Sequence, residues 1–150
     1  MQLSTAQLLE LNKYYYGKTN DDSYAVDCWQ FVQRFYKLVL GIDVDDYLDV
    51  YEGDDYAPLT PTIERAYSDG WVQITASPTF GDVGIWSWDE EGVRTHAGVL
   101  VATKPNLMVY HVPLGCGARL EKVDRGSWPV RLVAWFRHPL MQSNVKGDSN

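Results

Sequence analysis

Apolar side chains recur at three- and four-residue intervals before Gly70 and alternate after it. Leu8, Leu11 and Tyr15 form one stripe, with Ser4 or Thr5 as a cap and Gly17 as a stop, which predicts a first helix. Lys18 to Ser23 reads as a polar turn. A second helix is predicted from Cys28: Trp29, Val32, Phe35, Tyr36 and Val39 keep helical spacing, Phe31 and Leu38 widen the face, and Gly41 ends it. Nearly its whole circumference is apolar or aromatic, so it is expected at the centre of the molecule. Asp43 to Asp55 reads as a solvated acidic loop, with Tyr47, Tyr51 and Tyr56 in or beside it. Thr60-Pro61 opens a third helix that ends by Gly70.

Beyond Gly70 the period of two predicts strands at Trp71–Ile74, Val83–Trp88, Ala97–Thr103, Leu107–Val112, Arg119–Val123 and Val130–Phe136. Short turns with Gly, Pro or Asn separate them, as antiparallel neighbours require. Helices followed by strands give an α+β class: N-terminal helices packed on an antiparallel sheet of about five to six strands. A length of 150 residues fits one domain, expected over residues 1–140, with a polar tail over 141–150.

Composition narrows the function. Hydrophobic residues make up 45% and charged residues 22%, the balance of a globular chain. Aromatics reach 13%, enough to build a dense core or to line a groove for an extended ligand. The net charge of −7 repels phosphate backbones, so nucleic acid is not an expected partner. No apolar run approaches the roughly 20 residues that span a bilayer, so no membrane partner is expected. Met1 to Thr5 lacks a basic start leading into an apolar stretch, which predicts no Sec-type signal peptide.

The candidate chemistry centres on Cys28. At the start of a helix its sulfur meets unpaired amide hydrogens and the positive end of the dipole, and both favour the nucleophilic thiolate. A buried, inert thiol is the plain alternative. Cys28 and Cys116 together are one bridge, two inert thiols, or one working thiol and a bystander; Cys116, between Gly115 and Gly117, is expected as a spare thiol near the site mouth. His96 and His111 flank the turn Lys104-Pro105-Asn106 almost symmetrically, so they should face each other or lie on a diagonal. A base and the group that orients it need that arrangement, and Cys28 would supply the nucleophile from the facing helix. His138 is expected to serve structure. No zinc-type ligand spacing occurs, and Asp45 to Asp55 lacks the pattern of a calcium-binding hand. Gly81-Asp82-Val83-Gly84 precedes a strand rather than a helix, so it reads as a turn and not as a phosphate cradle.

These motifs, taken in order, resemble the NlpC-type peptidoglycan endopeptidases, compact papain-like cysteine peptidases. Asp27-Cys28 opens an aromatic helix, followed by Gly81-Asp82-Val83, His96-Ala97-Gly98-Val99 and a strand bearing His111. Leu40-Gly41-Ile42 and Arg137-His138 are similar to features of the phage tail subgroup, and the likeness covers roughly residues 10–138. The resemblance implies Cys28 as nucleophile, His96 as general base and His111 as the orienting residue. It also implies an upstream tyrosine that helps form the site, a place for which Tyr14, Tyr15, Tyr16 and Tyr24 compete. Many relatives have Ser-Gly after the cysteine; this chain has Trp29-Gln30, and Trp29 either narrows the groove or packs beneath it. The implied activity is hydrolysis of an amide bond in a peptidoglycan stem peptide, the D-glutamyl to diamino-acid link, with no metal or cofactor. The implied setting is a virion tail tip with other tail proteins as partners. A tail-assembly protein with a silent site and a delivered amidase toxin are the alternatives.

Overall fold

The computed structural model describes residues 3–17, 24–47, 60–88 and 95–141. Ser4 and Gln7 form a reciprocal capping box that starts α1 (Thr5–Leu11). The helix stops earlier than its stripe predicts. Tyr15 and Tyr16 instead make a two-residue strand, β1, parallel to β2 (Ala25–Val26). Asp27 and Gln30 form a second capping box at the start of α2 (Cys28–Phe35), with bonds of 2.7 and 3.0 Å. A π-helical turn, Tyr36–Leu40, continues α2 to Gly41, whose φ of 67° is the left-handed stop that glycine accepts. Trp29, Phe31, Val32, Phe35 and Tyr36 are all buried, so this helix is central, as its pattern predicts; Leu38 is exposed.

Helix α3 (Thr60–Ser68) leads into strands β3 (Val72–Ile74), β4 (Val83–Ser87), β5 (Thr95–Ala102), β6 (Met108–His111), β7 (Arg119–Lys122) and β8 (Leu132–Arg137). Among the described residues these form a six-stranded antiparallel sheet in the order β3-β8-β4-β5-β6-β7. All six predicted strands are present. The last begins at Leu132 because Trp128–Arg131, including Val130, folds as a short helix, α4. Alternation then builds two cores. Val83, Ile85, Ala97, Val99, Tyr110, Ala134 and Phe136 face α2 and α3. Trp86, Leu100, Val109, Val123 and Trp135 face the other way, with Trp128 of α4 packed against them.

Two expectations change with the packing. The loop is solvated at Asp43 and Asp45, but Tyr47 is buried: its hydroxyl donates to Asp69 at 2.9 Å, and its ring packs at a tilt on Trp29. The rest of that loop, including Tyr51 and Tyr56, lies outside the described residues, as do the turn at 18–23 and the tail from 142. The Gly81-Asp82 turn is more than a turn. Asp82, fully buried, accepts both Nε and Nη2 of Arg137 at 2.9 Å and the Thr79 N–H at 2.8 Å. This bidentate pair ties the entry of β4 to the end of β8. His138 serves packing, with its ring 5.0 Å from Trp71 and 5.7 Å from Tyr36. Arg137→Ala leaves the Asp82 carboxylate buried without its countercharge, and the expected loss is about 3–5 kcal/mol, read from urea unfolding. Arg137→Lys recovers only part of it, because an ammonium lacks the two-pronged fork.

Candidate active site

Three pieces of chain converge where β6 ends. In the β5–β6 pairing Val99 lies opposite Tyr110, which sets Gly98 beside His111 and Ala97 beside Val112. His96 and His111 are therefore diagonal neighbours on one face, the face of Trp86. Their rings meet edge to face, with centroids 4.9 Å apart and His96 Nε2 2.7 Å from His111 Nδ1. A Cβ on Gly98 would stand 3.3 Å from the Cβ of His111, so glycine keeps the space in which that ring turns. Trp128 closes over His111 at 5.3 Å.

Cys28 comes from the other layer. Helix α2 covers the opposite face of the sheet, and its first turn brings the Cys28 sulfur to the backbone N–H of Ala97, the residue after His96. The N–H groups of Trp29 and of Cys28 itself also reach the sulfur. The segment carrying the tyrosines completes the edge: Tyr16 N–H donates to the Cys116 carbonyl at 2.9 Å, and Ala118 N–H donates to the Tyr14 carbonyl at 2.9 Å. Both cysteines are free thiols, which removes the bridge from the alternatives, and the Cys116 backbone borders Tyr16.

The tyrosines that compete for the site, and Trp29, separate here; Tyr15 pairs with Ala25 in the short β1–β2 sheet. Tyr16 lies close enough to feel the charges of Cys28 and Asp27, although burial is the larger cause of its raised pKa. Tyr14 and Tyr24 do not turn to the thiol. Their rings pack on each other at 5.1 Å, Tyr14 also meets Phe31, and the Tyr24 hydroxyl donates to Glu10. Trp29 packs beneath: it is buried, its Nε1 donates to the Asp45 carbonyl at 2.9 Å, and its ring meets Tyr47 and Trp71. Its side chain is a core anchor. Gln30 completes the capping box, so both residues that depart from the Ser-Gly pattern have local structural employment.

Electrostatics correct one expectation. The helix start was expected to favour the thiolate. Burial outweighs it and pushes the Cys28 thiol up to about 12, with the nearby Asp27 charge adding to the rise and three backbone N–H groups opposing it. Burial lowers His96 to about 4. Burial, then His96, then Arg119, lower His111 to about 3. At neutral pH the resting site therefore holds a thiol and two neutral imidazoles. Residues that sequence reasoning missed also stand here. Glu121 of β7 brings Oε1 to 3.7 Å from His111 Nε2, and Trp128 covers the ring. The signal for Glu121 was period two along β7, but the turn length between β6 and β7 hid which β7 residue falls near His111.

No protein-family model matches the chain, and no curated protein matches it in sequence. Solved structures do share its fold. The crystal structure of Ly7917 aligns with a TM-score of 0.50 at 12% identity, over 75% of this chain and 53% of that one. The crystal structure of the wild-type endolysin LysIME-EF1 aligns with a TM-score of 0.50 at 14% identity, over 93% of this chain and 65% of that one. The chain thus spans about half to two thirds of the length of the proteins it matches. At these identities the likeness is one of fold: this α+β chain is built like an endolysin.

The lowered pKa values of half-buried His96 and buried His111 link stability to pH. The unfolded chain titrates them near the ordinary value of 6.5, while the folded chain resists protonation down to about 4 and 3. Between those limits the unfolded state binds more protons, so stability falls as pH drops from about 6.5 toward 4. His111→Asn is expected to flatten that slope, measured as the urea midpoint between pH 7 and 4.

Proposed function

We propose that this protein is a cysteine peptidase that hydrolyses an amide bond in peptidoglycan stem peptides. The observation that carries the reading is the 2.7 Å contact between His96 Nε2 and His111 Nδ1, in an endolysin-like fold where the backbone N–H of Ala97, the residue after His96, reaches the sulfur of the helix-start Cys28. Cys28 is the nucleophile and His96 the general base. Because the resting thiol and imidazole are neutral, the proton passes from Cys28 to His96 Nδ1 as the sulfur attacks the substrate carbonyl, rather than from a standing ion pair. The S–C bond forms, the carbonyl oxygen gains the charge, and the Cys28 N–H with the Tyr16 hydroxyl holds that oxyanion. His96 then gives its proton to the leaving amine as the C–N bond breaks. Water, with His96 again as base, releases the acyl group and restores the thiol. His111 holds the His96 ring through Nε2. No step calls for a metal or cofactor.

Digestion of purified sacculi, with the soluble fragments identified by mass, tests the reading. Cys28→Ala and His96→Ala are expected to lose about a thousandfold or more in turnover while keeping the wild-type circular dichroism spectrum. His111→Asn is expected to keep a measurable fraction, because an amide still accepts from His96. Full lysis by Cys28→Ala refutes the assignment. Folded wild-type protein that releases no fragment favours the silent-site tail protein instead.

We further propose that the protein works as part of a phage tail tip, alongside other tail proteins. The support is the resemblance of Leu40-Gly41-Ile42 and Arg137-His138 to the tail subgroup. Those residues also have structural duties, so carriage in the particle is tested directly. Mass spectrometry of purified virions should find the protein at a fixed ratio to known tail proteins. Abundance in the lysate with absence from virions would make it a free lytic enzyme.

A further inference from the structure

Resting on the peptidase reading, we infer that Glu121 is a positioning residue: its carboxylate holds His111 with the proton on Nε2, so that His111 Nδ1 accepts from His96 Nε2–H and His96 Nδ1 stays bare for the thiol proton. The hydrogen bond between the two imidazoles has room for one proton, and that proton can sit on either ring. If it belongs to His111 Nδ1, neutral His96 must carry its own proton on Nδ1, and that nitrogen cannot then act as base. If it belongs to His96 Nε2, neutral His111 must carry its proton on Nε2. The surroundings of that far nitrogen therefore set the tautomer of the whole chain of rings.

His111 Nε2 is buried and has no hydrogen-bond partner among the described residues. The charged and titratable neighbours of the ring are His96 on β5 and Arg119 and Glu121 on β7; Trp128 on α4 is uncharged. Of these, only Glu121 presents an acceptor to Nε2, with Oε1 3.7 Å away. That is longer than a formed hydrogen bond. A carboxylate at this range still attracts an N–H and repels a bare lone pair, and its side chain is 33% exposed rather than locked in the core. Register makes the contact a built one. Arg119 pairs with His111 and Glu121 pairs with Val109, so Glu121 lies on the diagonal of His111 on the same face. Arg119 Nη1 stands 3.9 Å from the same Glu121 oxygen on the solvent side.

The test is the imidazole 15N–1H correlation spectrum of the full chain at pH 7, compared with Glu121→Leu and Glu121→Gln. Wild type is expected to show both histidines protonated at Nε2 and bare at Nδ1. Glu121→Leu is expected to move His111 toward the Nδ1–H form and His96 with it, and to lower kcat about tenfold or more at unchanged KM. Glu121→Gln, whose amide oxygen still accepts from Nε2–H, is expected to restore the wild-type spectrum and most of the turnover. A wild-type His111 protonated at Nδ1, or a spectrum that both variants leave unchanged, overturns the inference. Should the leucine variant not fold, the wild-type and glutamine spectra still decide it. The spectra need no turnover, so failure of the peptidase reading shows separately, as sacculus hydrolysis that survives Cys28→Ala.

Discussion

Strands β5 and β6 pair with Val99 opposite Tyr110, and the candidate site depends on that register. A slip of one residue would turn His111 to the face under α2, where Tyr110 now packs on Phe31, and would separate it from His96. The register is held from both sides. Tyr110 and Val112 are locked in the larger core, while Val109 is locked in the smaller one. The same register places Ala97 just beyond the end of β6, where its amide meets the Cys28 sulfur. Packing that buries apolar area thereby also fixes where three polar groups stand.

Burial then decides the charge state. Taking an imidazole or a thiolate out of water costs more than the helix start or the backbone amides return, so the resting groups are neutral. Neutrality removes any standing ion pair between these groups. It also makes the direction of each hydrogen bond matter more, because a neutral imidazole donates from one nitrogen and accepts at the other. In a site of this kind orientation and tautomer carry what a standing ion pair would otherwise carry.

Much of this was legible in the sequence. Helical spacing from Cys28 to Val39 gave a central helix, while the Asp27–Gln30 capping box that starts it went unread. The symmetric turn between His96 and His111 gave their meeting as opposite or diagonal, and the pairing is diagonal. What stayed hidden was non-local. Strand β8 inserts between β3 and β4, which no local period signals. Tyr15 continues an apolar stripe yet belongs to a strand, because pairing with β2 outcompetes one more helical turn. Among the neighbouring tyrosines, only tertiary contacts distinguish Tyr16 from Tyr14 and Tyr24. Glu121 was invisible because its nearness to His111 follows from the β6–β7 register, not from any motif.

The residues behind the resemblance divide by physical role. Gly41 ends α2 with a positive φ, Asp82 and Arg137 clamp β4 to β8, and His138 fills space between Tyr36 and Trp71. Any chain with this architecture gains stability from them, whatever its activity. Trp29-Gln30 departs from the pattern and works differently. Gln30 closes the capping box from inside the helix, and Trp29 ties the same turn to the Asp45 carbonyl. Both bonds immobilise the stretch of backbone that carries the Cys28 N–H and the sulfur above it. The departure therefore stiffens the turn on which the Cys28 thiol stands.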